Sequence, residues 1–161
     1  TGRLDSLRAH TALLRLQVME QGDEQQREVL EPLFWLLHAC FLIGTAVNDP
    51  ECAHPEYRVA DLGPAHLAYL EAVQTGLEER ITLPKSFIVS ASNLLSAQAD
   101  ITATVVRELE RSLVELKDAV PAFEAVQILA FVNRLSDFFY IVARYLEQGM
   151  HQPVDYRVLD R

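Results

Sequence analysis

The chain has 161 residues, of which 50% are hydrophobic and 23% are charged, a composition typical of one globular domain. Its net charge of −9 excludes a broad electrostatic surface for nucleic acid or anionic lipid, because both need clustered lysine and arginine. The longest apolar run is too short to span a membrane. With only two cysteines, a disulfide framework is also excluded, and we expect a cytoplasmic protein that does not enter a membrane.

Apolar residues recur every three or four positions along most of the chain, which predicts helices rather than strands. Glycine and proline residues separate these periodic stretches and mark the connections between them. The pattern predicts a single all-α domain over 1–161, an antiparallel bundle of five helices with an extended C-terminal tail at about 148–161. The predicted helices cover residues 3–21, 24–47, 65–80, 93–118 and 123–146.

Local features predict how some of these helices begin and pack. The second helix is apolar on nearly all sides after Pro32, a pattern typical of a helix at the centre of a fold. In this helix Cys40 is expected to be a small buried side chain and His38 a core histidine with its polar atoms satisfied. The fourth helix is predicted to have Ser92 as its N-cap.

One stretch has the spacing of metal ligands without the context for them. Glu51 and His54 have the Glu-x-x-His spacing of di-iron bundles, but they lie in a proline-containing loop. A second copy of the motif on a helix is missing. We therefore predict no metal site.

Polar residues interrupt the apolar stripe of the fifth helix at Asn133, Arg134 and Asp137. Asn133 and Asp137 are four positions apart and therefore lie on one face of the helix. If that face is buried, an unsatisfied amide or carboxylate costs about 1–3 kcal/mol. The pattern therefore predicts a partner against this face, which is either a polar ligand or a structural polar network with another helix.

The fourth helix carries a second polar face. One side of this helix carries Thr104 and the residues three, six and seven positions after it, which are Arg107, Glu110 and Arg111. On spacing alone, a solvated face with local ion pairs worth about 0.3–0.5 kcal/mol each explains them. Phe87, which precedes this helix, is on the same grounds more typical of a core residue than of a ligand platform.

Two segments resemble the ATP:corrinoid adenosyltransferase family. NRLSDFFYIVAR, residues 133–144, resembles the family's last helix, whose pattern is close to N-R-L-S-D-x-L-F-x-x-A-R. The stretch 87–111 resembles, without a gap, the family segment that begins F-I-x-P-G-G and continues to A-R-T-x-x-R-R-A-E-R. More loosely, the first residues resemble G-T-L-D-E-L-N and LLHACFLIG resembles I-Q-H-x-L-F-x-x-G. The chain is identified as a divergent member of this family.

The resemblance implies a function. In the family, Mg-bound ATP and a corrinoid (cobalamin) are the substrates, and the 5′-deoxyadenosyl group of ATP is transferred to the cobalt of cob(I)alamin. The protein is then a helical trimer with ATP bound between subunits, and its product passes to a corrinoid-dependent acceptor enzyme. By the same resemblance Phe87 lies under the corrinoid ring, and Asp5 is the second corrinoid-site residue. The residues that match the family's ATP site are Arg107, Glu110, Arg111, Asn133, Arg134 and Asp137.

The chain departs from the family pattern at several site positions. The Pro-Gly-Gly stretch is replaced by Ser-Ala-Ser at 90–92, which removes the conformational freedom of two glycines. Ala103 stands where the family has an arginine, so Asp5 is expected to lack its salt-bridge partner. Glu108 reverses the charge of a second arginine, and Asp100 replaces a histidine. Because these replacements remove cations, we expect weaker stabilisation of the triphosphate.

These departures leave three hypotheses for the function. The first is an active adenosyltransferase whose Gly-rich, Lys- and Thr-containing phosphate segment lies upstream of Thr1. The second is a catalytically inactive family member that binds or delivers a corrinoid or a nucleotide. The third, outside the family's chemistry, is a helical scaffold for protein–protein contacts.

Overall fold

The computed structural model describes residues 2–161 and consists almost entirely of helices. The prediction of an all-α bundle of five helices is confirmed. Short 3₁₀ helices lie at Gln26–Val29, Pro55–Tyr57 and Tyr156–Asp160. The α-helices are α1 (Gly2–Gln21), α2 (Leu30–Asn48), α3 (Pro64–Glu78), α4 (Leu94–Ala119) and α5 (Val126–Leu146).

Helix α5 forms the centre of the bundle and packs mainly against α4 and α3. Each of its residues from 141 to 146 is buried. It runs antiparallel to α4, because Asp100 near the start of α4 contacts Arg144 near the end of α5. Farther along α4, Glu110 contacts Asn133 in the first half of α5. This antiparallel register determines which polar side chains of the two helices meet.

The expectation that α2 lies at the centre is wrong, because one side of this helix faces solvent. Phe34 and Phe41 are 49% and 58% exposed. Two arginines of the antiparallel helix α1 cover them in part. The guanidinium carbon of Arg15 lies 4.6 Å from the Phe34 ring centroid, and that of Arg8 lies 5.0 Å from the Phe41 centroid. Stacked cations thus shield the exposed rings.

The two residues singled out inside α2 differ in burial. Cys40 is buried as expected, and its burial raises the pKa of the thiol to about 12. His38 is exposed, so the expectation of a core histidine is wrong, and its Nδ1 lies 2.8 Å from the Phe34 carbonyl oxygen one turn earlier. The second cysteine, Cys52, is exposed in the loop after α2.

This difference gives a simple labelling prediction. At pH 8 a thiol reagent should modify about one cysteine per folded chain, because the reactive thiolate of Cys40 is suppressed by burial. Unfolding in denaturant should bring the count to two. The absorbance of the released aromatic thiol measures both numbers, and the Cys52→Ser variant should show no fast labelling when folded. Rapid modification of two thiols in the native protein contradicts the assignment.

Two helical segments, Gln26–Asn48 and Val126–Leu146, are long and apolar enough to cross a membrane by length and composition alone. This is weak evidence, because the core helices of soluble bundles meet the same criterion. In the bundle the second segment is α5, whose apolar residues pack against α3 and α4.

The start of α4 differs from the prediction by one residue. Asn93, not Ser92, is the N-cap, and its Oδ1 accepts the Ser96 backbone N–H at 2.8 Å. The Ser96 hydroxyl accepts the Asn93 backbone N–H in return, at 3.2 Å. The Asn93 amide also donates to the carbonyl oxygen of Leu146, at 2.9 Å. Asn93 therefore joins the first turn of α4 to the last turn of α5.

We expect Asn93→Ala to lower the free energy of unfolding by about 1–2 kcal/mol, since it removes an N-cap and a partner of the Leu146 carbonyl. The matched variant Ser92→Ala should change it by less than about 0.5 kcal/mol. Equilibrium urea denaturation at fixed protein concentration measures both. Equal losses of unfolding free energy in the two variants would show that Asn93 is not the N-cap.

The tail turns back along the end of the bundle after α5. Gln148 and Gly149 have φ angles of 52° and 81°, the left-handed conformation that reverses the chain. The Gln148 side-chain amide donates to Asp23 at 2.7 Å, which holds this turn against the loop after α1. The tail is then extended where Pro153 forms an antiparallel bridge with Ile88.

Candidate functional site

Helices α4 and α5 bring the predicted nucleotide residues together on one surface, which we call the polar face (Arg107, Glu110, Arg111, Asn133 and Asp137). The Asn133 side-chain amide donates to Glu110 Oε2 at 2.9 Å. Arg107 Nε donates to the hydroxyl of Ser136 at 3.3 Å. Side chains that are 23 and 29 positions apart in sequence therefore meet because the two helices are antiparallel.

The polar face points to solvent in the single chain. Asn133 and Asp137 are exposed, so this face is not buried within one chain, although Asn133 contacts Glu110 of the facing helix α4. Arg107 and Arg111 are exposed too, whereas Glu110 is half-buried.

Three charged groups at this location are not engaged within the described chain. Among residues 2–161, no hydrogen bond or ion pair is formed by the side chains of Arg111, Arg134 or Asp137. Arg134 is half-buried beside Asn133. Two unengaged guanidinium groups and Arg107, with its single contact, offer planar forks that pair with phosphate or carboxylate oxygens.

The Asn133–Glu110 pair has a different capacity. Because the Asn133 amide N–H is directed to Glu110, its carbonyl oxygen is oriented and remains able to accept a hydrogen bond. The second carboxylate oxygen of Glu110 is an acceptor as well. Together they suit the amino or hydroxyl groups of a nucleoside, next to cations that suit its phosphates.

The replaced family residues have found partners within the chain. Glu108, which reverses a charge, accepts from Arg3 on α1. Asp5 is paired with Arg8 at 3.2 Å, so the expectation that Asp5 lacks a partner is wrong. The reason is local, because Arg8 lies one helical turn after Asp5. Ala103 is 6% exposed and packs in the core.

Asp5 and Phe87, the two predicted corrinoid residues, are far apart in a single chain. Asp5 lies near the start of α1 and lines a cleft of about 280 Å³ with Arg8, Phe41 and Asn48. Phe87 precedes α4, at the opposite end of the bundle, and its side chain is 82% exposed. The cleft beside Asp5 does not include Phe87 among its lining residues.

A buried charged cluster at the end of α5 was missed by the sequence reasoning. The Arg144 side chain is only 3% exposed, and its Nη2 donates to Asp100 at 2.7 Å and to Glu147 at 3.1 Å. The Glu147 side chain is fully buried, and its other oxygen lies 3.5 Å from His151 Nδ1. The sequence did contain a signal for this cluster, because Glu147 follows Arg144 by three positions and His151 follows Glu147 by four, spacings that place residues on one face of a helix.

Burial sets the protonation behaviour of this cluster. It raises the pKa of the Glu147 carboxyl, the Asp100 charge adds to the rise, and Arg144 opposes it. Burial by itself lowers the pKa of Arg144, but the hydrogen bond and charge of Asp100 leave it above its usual value. A charge inside the fold is kept because it is paired.

The main cavities of the described chain lie away from the polar face. A cleft of about 380 Å³ at the end of α5 is lined by Arg80, Arg144, Tyr145 and His151, among others. The largest cavity, about 510 Å³, lies at the other end, beside the start of α5. None of the five cavities found in residues 2–161 includes a residue of the polar face. Over the same residues, no three His, Cys, Asp or Glu side chains cluster as metal ligands.

Comparisons with known proteins agree with the sequence motifs. A corrinoid adenosyltransferase PduO from Citrobacter freundii is 29% identical over 155 residues, which cover 94% of this chain and 42% of that protein. The chain thus spans less than half the length of this relative. A cobalamin adenosyltransferase from Cupriavidus metallidurans is 31% identical over 149 residues, covering 92% of this chain and 73% of the relative.

Solved structures support the fold. A PduO-type ATP:corrinoid adenosyltransferase variant from Lactobacillus reuteri, complexed with cobalamin and ATP, superposes with a TM-score of 0.79 at 20% identity. The match covers 95% of this chain and 80% of the other. The model of the family described as cobalamin adenosyltransferase matches residues 1–146. This chain therefore belongs to the cobalamin adenosyltransferase family.

Proposed function

We propose that this protein is an ATP:cob(I)alamin adenosyltransferase. In the reaction, the cobalt(I) of the corrinoid attacks the 5′ carbon of Mg-bound ATP, a cobalt–carbon bond forms, and the carbon–oxygen bond to the departing triphosphate breaks. The observation that carries the proposal is the polar face, where Glu110 and Asn133 form a fixed pair beside the guanidinium of Arg107. This arrangement suits a nucleoside triphosphate.

The solved Lactobacillus reuteri structures support the assignment of two residues. In one variant bound to cobalamin and ATP a phenylalanine is replaced, and in another bound to ATP an arginine is replaced by lysine. Those two positions are twenty apart, as Phe87 and Arg107 are in this chain. We assign Phe87 to the corrinoid and Arg107 to ATP on this basis.

Each residue has a part in the proposed reaction. Arg107, Arg111 and Arg134 balance the charge that develops on the leaving triphosphate, and fixed cations lower the barrier more than mobile water does. Asn133 and Glu110 orient the nucleoside, while Asp137 accepts from ATP or its bound water. The Phe87 ring offers an apolar surface under the corrinoid, which disfavours a polar lower axial ligand and so favours cobalt(I).

We propose that the site is completed between copies in a trimer. The exposure of the polar face supports this, because the departing triphosphate gains most from cations in a water-excluded pocket. The distance between Asp5 and Phe87 within one chain also favours contributions from two copies. Light scattering after size-exclusion chromatography tests the proposal, and a monomer that turns over at full rate would contradict it.

We propose that the product is adenosylcobalamin, that the protein acts in the cytoplasm, and that a corrinoid-dependent enzyme accepts the product. The supporting observation is the family alone.

The decisive experiment mixes the purified protein with Mg-ATP and cob(I)alamin under reducing, oxygen-free conditions and follows adenosylcobalamin formation by absorbance. We expect turnover that depends on both substrates. If no product forms while cob(II)alamin still binds, the protein is a corrinoid carrier instead. If neither turnover nor binding is found, a helical scaffold is the remaining function.

A further inference from the structure

The exposed side chain of Phe87 has little packing to hold it in place. It is 82% exposed, although a platform under a flat macrocycle needs a defined position. Two backbone hydrogen bonds hold its segment instead. Val154 N–H donates to the Phe87 carbonyl oxygen at 2.9 Å, and Val89 N–H donates to the Gln152 carbonyl oxygen at 2.8 Å. The position of Phe87 is thus set by the tail.

Ser90, which follows the paired residues 87–89, has a strained backbone conformation that the pairing helps to maintain. Ser90 has a φ of 42°, a left-handed conformation that a residue with a side chain adopts at a cost of about 1–2 kcal/mol. A strained residue persists only when its surroundings determine it. Without the tail, the stretch 87–90 has few other contacts that oppose relaxation, because most of its side chains are exposed.

We call residues 152–154, which pair with the Phe87 segment, the tail strand. The residue before it, His151, lies beside the buried carboxylate of Glu147 at the end of α5. One oxygen of Glu147 accepts from Arg144, and the other has no hydrogen-bond partner but lies 3.5 Å from His151 Nδ1. His151 immediately precedes the tail strand, so its contact with Glu147 ties that strand to the end of α5.

We propose that Glu147 and His151 are positioning residues for the corrinoid, which act by fixing the tail strand 152–154 that holds Phe87. The inference rests on the proposed function, since it assigns the Glu147–His151 pair to the same corrinoid site. Neither residue touches the reacting atoms. Because they determine the position of Phe87, their loss should weaken binding of the corrinoid and leave binding of ATP unchanged.

The test uses His151→Ala, with His54→Ala as the matched control. His54 is an exposed histidine 3.3 Å from Glu56 in the loop after α2, so it loses a similar pair without touching the tail. Hydrogen exchange at the Val89 and Val154 amides reports the strand pairing. Steady-state kinetics report the KM for cob(I)alamin and the KM for ATP separately.

We expect faster exchange at both amides and a KM for cob(I)alamin raised by on the order of tenfold to a hundredfold, with the KM for ATP unchanged. His151→Gln, whose amide N–H can donate to Glu147, should restore the corrinoid KM. The proposal is overturned if the His151→Ala kinetics match wild type, or if both KM values rise together. If the wild-type protein is inactive, the proposed function is wrong, and cob(II)alamin affinity then tests the positioning role. Equal cob(II)alamin affinities of wild type and His151→Ala would overturn that role as well.

Discussion

Arg107→Ala should lower the rate of adenosyl transfer by a factor on the order of 10²–10³, the loss typical of removing one preorganised donor from a developing anion. The structure gives Arg107 one contact inside the chain, a 3.3 Å hydrogen bond to Ser136, and leaves its guanidinium exposed. Its removal therefore costs the fold little. Steady-state kinetics with cob(I)alamin and Mg-ATP measure the rate, and circular dichroism should show unchanged helix content.

The matched control is Arg27→Ala, which removes an exposed arginine that donates only to backbone carbonyls at the end of α1, those of Met19 and Gly22. It should retain the wild-type rate. Arg107→Lys keeps the charge but loses the planar fork, so its rate should lie between wild type and Arg107→Ala. If Arg107→Ala keeps the wild-type rate and ATP affinity, Arg107 is not part of the nucleotide site.

Arg144→Ala should be the most destabilising single change in the chain. It leaves the buried carboxylate of Glu147 and the half-buried carboxylate of Asp100 without their cation, and breaking a buried ion pair costs about 3–5 kcal/mol. The 4.9 Å contact between the guanidinium and the Tyr140 ring is lost as well. Urea denaturation at fixed protein concentration measures the change in the free energy of unfolding.

Two further variants separate charge burial from the loss of packing. Arg157→Ala removes an exposed arginine that also pairs with an aspartate, Asp155 at 2.9 Å, and should leave stability unchanged within error. Adding Glu147→Gln to Arg144→Ala should recover part of the loss, because the orphaned carboxylate becomes neutral. No recovery would show that Arg144 acts through packing alone.

Much of the fold could be predicted from periodicity. The positions of α1, α3, α4 and α5 follow from apolar spacing and from proline and glycine breaks, which act over a few residues. The start of α2 was placed too early, because Gln26–Val29 forms a separate 3₁₀ turn. In this turn Asp23 and Gln26 exchange hydrogen bonds between side chain and backbone, a local motif that apolar spacing does not report.

The candidate site was predictable in its members but not in its surroundings. Arg107, Glu110 and Asn133 were found by motif, and the structure brings them together. The exposure of Asn133 was not foreseen, since an apolar stripe interrupted by polar residues has the same pattern whether the gap faces a neighbouring helix or solvent, whereas spacing alone did favour a solvated face for Arg107. The partners of Glu108 and Asp100 were missed because each lies on another helix, more than 40 positions away.

The sequence by itself determined the helical class, the family and the chemical types of the side chains at the site, because these depend on neighbours within one or two helical turns. Only the tertiary structure decided that α5 rather than α2 is central, that a buried Arg144 cluster closes one end of the bundle, and that the tail pairs with the Phe87 segment. These arrangements depend on contacts between residues far apart in the chain, where burial and pairing are determined by packing and not by local spacing.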